Sequence, residues 1–259
     1  MTPMPQVILA LFAHPDDAEF LCGGTLAHLS RSGASLHMAT MTAGDCGSAI
    51  LPSQKISRVR RKEAEHAASR VGAQYSCLGL KDLLILYDGP ALKKVLETVR
   101  RVNPDLVFTH SPTDYMADHE ITSRLVQTAC FGAMAPNFPT GARKASPATR
   151  TVPHLYYAQP FGGRDILGNE IRPRLAVDIV ATLEAKLALV ACHESQRAWL
   201  RTQQDIEKLD DPVQTLARQT GAMAGFEAAE GFRQHLGQGF PQTDMLSTLL
   251  GGLVRRIQS

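Results

Sequence analysis

The chain has 259 residues, 44% of them apolar and 20% charged, which supplies a large core and excludes an intrinsically disordered protein. A formal net charge of +2 without a basic cluster excludes a nucleic-acid partner. The apolar run near the N-terminus is too short for a signal peptide or a membrane span, so a cytoplasmic protein with no membrane contact is expected. Five scattered cysteines, Cys22, Cys46, Cys77, Cys130 and Cys192, suit reduced thiols in that compartment. One domain spanning 1–259 accommodates this length.

Residues 8–13 form an unbroken apolar run, which predicts a central strand buried on both faces of a parallel sheet. His14, Pro15, Asp16 and Asp17 follow at once, at the strand end where open α/β sheets bind ligands. His14 and Asp17 can face one divalent ion, leaving Asp16 to act on a water. Two protein groups do not complete a catalytic zinc site, so a third is expected from a distant loop. The competing reading is that Asp16 and Asp17 only cap the positive end of the next helix.

That helix is expected over 18–31, where Gly23 and Gly24 signal a close approach by another segment. A strand over 36–41 delivers Asp45 and Cys46 to the same sheet edge. The charged helix over 57–71 carries Arg58, Arg60 and Arg61 near its start, against the helix dipole, which hints that one arginine serves another purpose. A strand over 75–80, a helix over 91–102 and a strand over 106–109 follow. Next come a polar loop over 110–120 and a helix over 121–132. This alternation predicts a parallel sheet with right-handed crossovers and one site along its carboxyl edge. The stretch 136–153, rich in Pro, Gly, Ala and Thr, reads as a lid or a subunit-contact arm. Late strands are expected over 154–159 and 175–179, then a long helix over 181–200 bearing His193, Ser195, Gln196 and Trp199. Helical pieces over 225–236 and 246–257 close the chain.

The His-Pro-Asp-Asp turn, Thr42-Ala43-Gly44-Asp45 after the second strand and Asp118-His119 after the fourth together resemble the PIG-L/LmbE-like N-acetylglucosaminyl deacetylases. Arg60 to Glu63 and His193-Glu194-Ser195-Gln196 also look like family features. The resemblance implies a Rossmann-like three-layer α/β sandwich with a mostly parallel sheet. It implies Zn2+, with Fe2+ able to replace it, held by His14, Asp17 and His119, and Asp16 as general base. It further implies that Arg60, held by Glu63, binds substrate with Asp45, the competing reading being a surface Arg60–Glu63 pair; Tyr115 reads either as an oxyanion donor or as a structural tyrosine. Where many members have His-Pro-Asp-His, this chain has Met116, Ala117, Asp118 and His119. A thioether cannot do the work of the first His, so either Asp118 orients His119, or His110 or His193 supplies the missing donor, or the substrate differs from the family's usual one. The implied reaction removes an N-acetyl group from a small amino-sugar conjugate, in a homo-oligomer, trimer or hexamer. The alternatives are a zinc amidase on a thiol or antibiotic glycoside conjugate and a catalytically silent sugar-binding protein.

Overall fold

The computed structural model describes residues 6–197 and 210–258. Their strands join one mixed eight-stranded sheet in the order β3-β2-β1-β4-β5-β7-β6-β8. The first five are β1 (Val7–Phe12), β2 (Ser35–Thr42), β3 (Gln74–Leu80), β4 (Leu106–Thr109) and β5 (His154–Ala158), all parallel. The last three, β6 (Leu175–Asp178), β7 (Ala229–Gln234) and β8 (Val254–Arg256), extend the sheet through antiparallel pairings.

Strand β1 sits between β2 and β4, with Ala10 facing Met38 on one side and Phe108 on the other. Its side chains alternate between two cores. Ile8, Ala10 and Phe12 join the core beneath α1 (Asp17–Arg31), α2 (Ser53–Arg70), α5 (Leu183–Val190), α6 (Asp210–Ala224) and α7 (Met245–Leu250). Leu9, Leu11 and Ala13 join the core beneath α3 (Gly89–Val102) and α4 (Ala117–Gly132). Both faces of β1 are therefore dry, as its unbroken apolar run requires, and the architecture is the expected three-layer α/β sandwich.

Helix α1 breaks its regular geometry at Cys22, and the freed amides of Gly24 and Thr25 donate to the buried Glu230 carboxylate at 2.9 and 2.7 Å. A Cβ on Gly24 would stand 2.8 Å from Ile179, so the expected close approach is real.

The sequence reading differs from the structure mainly toward the C-terminus. Residues 225–236, expected to be helical, contain β7, whose Phe232 fills the core and whose backbone bridges β5 and β6. Pairing partners outweigh local propensity there. The expected helix over 246–257 is the short α7 followed by β8. The long helix expected over 181–200 ends at Val190, so His193 lies beyond α5, and Trp199 falls outside the described residues. Helix α4 begins at Ala117, which puts Asp118 and His119 in its first turn instead of in a loop.

Segment 136–153 contains no regular element and is bound to the flank of α3. Arg100 donates to the carbonyls of Ala133, Ala135 and Phe138, and Glu97 accepts from the Ser146 amide at 2.8 Å. Because α3 runs antiparallel to the strands, these contacts hold the segment's approaches away from the carboxyl edge, where a lid would have to reach. Among the described residues no helix is long and apolar enough to cross a membrane.

A candidate metal centre at the carboxyl edge of the sheet

Strand order reverses between β1 and β4, and a crevice at such a reversal is where doubly wound sheets take ligands. The His-Pro-Asp-Asp turn leaves β1 there, and the segment from His110 into α4 leaves β4 beside it. Asp16 caps α1 with φ +101°, a left-handed conformation uncommon for a residue with a side chain. Asp17 then begins the helix and accepts the His14 amide at 2.7 Å.

His14, Asp17 and His119 bring one donor atom each to within 4.8 Å of one another. Each imidazole is fixed through its other nitrogen. His14 Nε2 lies 3.2 Å from Asp118 Oδ2, leaving Nδ1 toward Asp17, and His119 Nδ1 lies 3.0 Å from Asp114 Oδ1, leaving Nε2 at 3.6 Å from Asp17 Oδ1. A carboxylate behind each histidine is the arrangement that orients imidazole ligands toward a metal. The electrostatics agree. Burial opposes a charge on His14, yet Asp118 and Asp17 push its pKa up to about 10. Asp17 is held well below the usual carboxylate range by His119 and His110, in spite of its burial. Sites that hold a cationic proton this firmly suit a divalent cation in its place, and the nitrogen and oxygen donors suit zinc or iron. The carboxylate partners differ from the expected ones: Asp118 serves His14 and also accepts the Leu83 amide at 2.7 Å, while Asp114 serves His119.

Asp16 is not one of the three donors. Its Oδ2 lies 3.4 Å from Arg60, and burial pushes its pKa up to about 6 against the pull of Arg60. Arg60 itself is 3% exposed and donates to the Pro15 carbonyl at 2.8 Å, while its Nε has no partner among the described residues. Glu63, expected to hold Arg60, instead accepts the amide and hydroxyl of Ser195. Asp45, expected to meet substrate, accepts from the Asp82 amide, Lys81 and Ser53 at 3.0 to 3.1 Å, tying the loops after β2 and β3 together.

Of the two candidate replacements for the missing histidine, His110 is beside the centre and His193 is not. His110 is fully buried, stacks on His119 with centroids 3.8 Å apart, and places Nε2 3.1 Å from Asp17 Oδ2. Burial, reinforced by His119, lowers its pKa to about 4 and keeps it neutral. His193 is equally buried but bonds Glu19 Oε1 at 2.9 Å, behind Asp16. Tyr115 is half exposed and meets His119 edge-on at 5.3 Å.

Four contributors were not assigned from sequence. Asp114 and Glu19 are known only by their histidine partners. Asp82 is 6% exposed, accepts the Cys46 amide at 2.9 Å and keeps Oδ1 without a partner among the described residues. Arg233 of β7 donates to Ser111 beside His110. A polar residue just past β3 was the available signal for Asp82. Arg233 had none, because its segment reads as helix.

Residues 9–130 match the family model described as GlcNAc-PI de-N-acetylase. That match takes in 122 of the 259 residues, just under half of the chain. Every residue of the centre, from His14 to His119, lies inside that match. The chain is 27% identical to the diacetylchitobiose deacetylase of Thermococcus kodakarensis over 233 residues, 87% of this chain and 82% of that protein. It is 26% identical to the 4-oxalmesaconate hydratase of Pseudomonas putida over 196 residues, 73% of each. The structure of an N,N'-diacetylchitobiose deacetylase from Pyrococcus horikoshii superposes with TM-score 0.74 at 27% identity, covering 92% of this chain and 88% of that one. The chain is accordingly an enzyme, and the deacetylases it resembles are amide hydrolases.

Proposed function

We propose that the protein is a metal-dependent N-deacetylase acting on a small N-acetylated amino-sugar conjugate. One observation carries the reading: a buried carboxylate, Asp16, stands next to a three-donor centre without being one of its donors. A divalent cation, zinc or iron, held by His14, Asp17 and His119 would supply Lewis acidity toward a water and an acyl oxygen. Asp16, with a pKa near 6, accepts the proton of the attacking water on a carboxylate oxygen and returns it to the departing amine. His110 stays neutral beside Asp17, and its Nε2 accepts the Ala13 amide at 3.0 Å. Met116 offers no proton donor, and His110 and His193 are turned to Asp17 and Glu19. The half-exposed Tyr115 hydroxyl is therefore the donor assigned to the acyl oxygen.

The family model and the two deacetylase relatives support this chemistry, and the diacetylchitobiose substrates in their names support an amino sugar. The hydratase relative favours a second reading, in which the same base and cation add water to an activated carbon–carbon double bond of a small oxo-acid. One panel decides. Metal-loaded protein is incubated with N-acetylated mono- and disaccharides and with unsaturated oxo-dicarboxylates. The proposal expects acetate and free amine from the first group. Hydration of the second group with no amine release would reverse it.

A further inference from the structure

The sequence holds two glycines in the loop after β2, Gly44 and Gly47, whose purpose the reaction above leaves unexplained. A Cβ on Gly44 would lie 2.4 Å from the Arg60 guanidinium, and one on Gly47 would lie 2.6 Å from it. Neither position tolerates a side chain while Arg60 keeps its place. The two glycines thus form the wall of a slot that the guanidinium fills. Beyond that wall the arginine makes its two contacts, with the Pro15 carbonyl at 2.8 Å and with Asp16 Oδ2 at 3.4 Å. One contact fixes the peptide entering Asp16, and the other fixes its carboxylate. Between them lies the left-handed backbone of Asp16, φ +101°, which separates the direction of its side chain from that of Asp17.

We infer that Arg60, seated by Gly44 and Gly47, is a positioning residue that holds Asp16 in its left-handed conformation and so keeps the base carboxylate clear of the cation donors. This rests on the assignment of Asp16 as base in the proposed deacetylation. The helix carrying Arg60 is itself fastened, since Glu63, one turn on, holds Ser195 through two hydrogen bonds. A lysine cannot substitute. Its ammonium is a single point charge, whereas the planar guanidinium reaches a carbonyl and a carboxylate from one rigid fork. Gly47 is the informative glycine, because alanine there meets Arg60 without the strain that positive φ imposes on alanine at Gly44.

The test uses the metal-loaded full chain and its R60K, R60A and G47A variants, with kcat, KM and bound metal measured on whichever N-acetylated sugar the wild type hydrolyses. A base misplaced by an ångström costs about 100-fold in rate, so R60K is expected to lose kcat on that scale with KM and metal content retained. G47A is expected to show the same signature at smaller size, and added guanidinium to restore part of the R60A turnover but none in D16N. A rise in KM with kcat preserved in R60K, or a G47A enzyme identical to wild type, would overturn the inference. Crystal structures of wild type, R60A and G47A read the same claim without substrate. They are expected to show Asp16 leaving the left-handed region in both variants, and an unchanged Asp16 backbone would refute the inference even if no acetylated sugar proved to be a substrate.

Discussion

Asp16 and Asp17 are adjacent in sequence and have opposite surroundings. Asp17 faces two imidazoles and is held ionised, whereas Asp16 faces a low-dielectric wall and one guanidinium, which leaves it able to exchange a proton near pH 6. D16N is expected to keep its metal and lose about 100- to 10,000-fold in kcat, checked by single-turnover kinetics beside metal analysis. The His-Pro-Asp-Asp turn was legible because it interrupts an apolar strand at the ligand-binding edge. The partners of its histidines were not, because His14 meets Asp118 across 104 residues and His193 meets Glu19 across 174. Burial lowers the proton affinity of His193, but Glu19 raises it above the ordinary value of 6.5. The folded chain therefore binds that proton more tightly than the unfolded chain, and the stabilisation is complete below 6.5 and lost as pH rises through the folded value. H193Q should accordingly lose more unfolding free energy relative to wild type at about pH 6 than at about pH 9, as read by urea titration at both values.

Elements place these residues by where they begin and break. Starting α4 at Ala117 aims Asp118 at His14 and His119 at Asp17 from a single helical turn. D118N should weaken metal affinity by about 10- to 100-fold, measurable by competition with a chelator. The break in α1 at Cys22 depends on Glu230, whose charge is balanced by Lys186 at 2.6 Å in a buried pair. K186M strands that carboxylate and should cost about 3–5 kcal/mol in chemical denaturation, with much of the loss recovered in K186M/E230Q. The parallel half was readable because its strands are buried runs separated by helices of regular period. The short strands β7 and β8 were not, since they become strands only by pairing with β5 and β6.

At the scale of the molecule, five parallel strands build the crevice and three antiparallel strands brace its flank, with Arg233 of β7 reaching Ser111 next to the centre. The central claim is that three side chains from β1's exit, the first turn of α1 and the first turn of α4 meet around one cation. Elemental analysis of the purified chain after reconstitution, beside H14A, D17A and H119A shown folded by circular dichroism, tests it most directly. The account predicts about one divalent ion per wild-type chain and less than about a tenth of that in each variant. A near-stoichiometric metal load in any of the three variants, or none in the wild type, would contradict it.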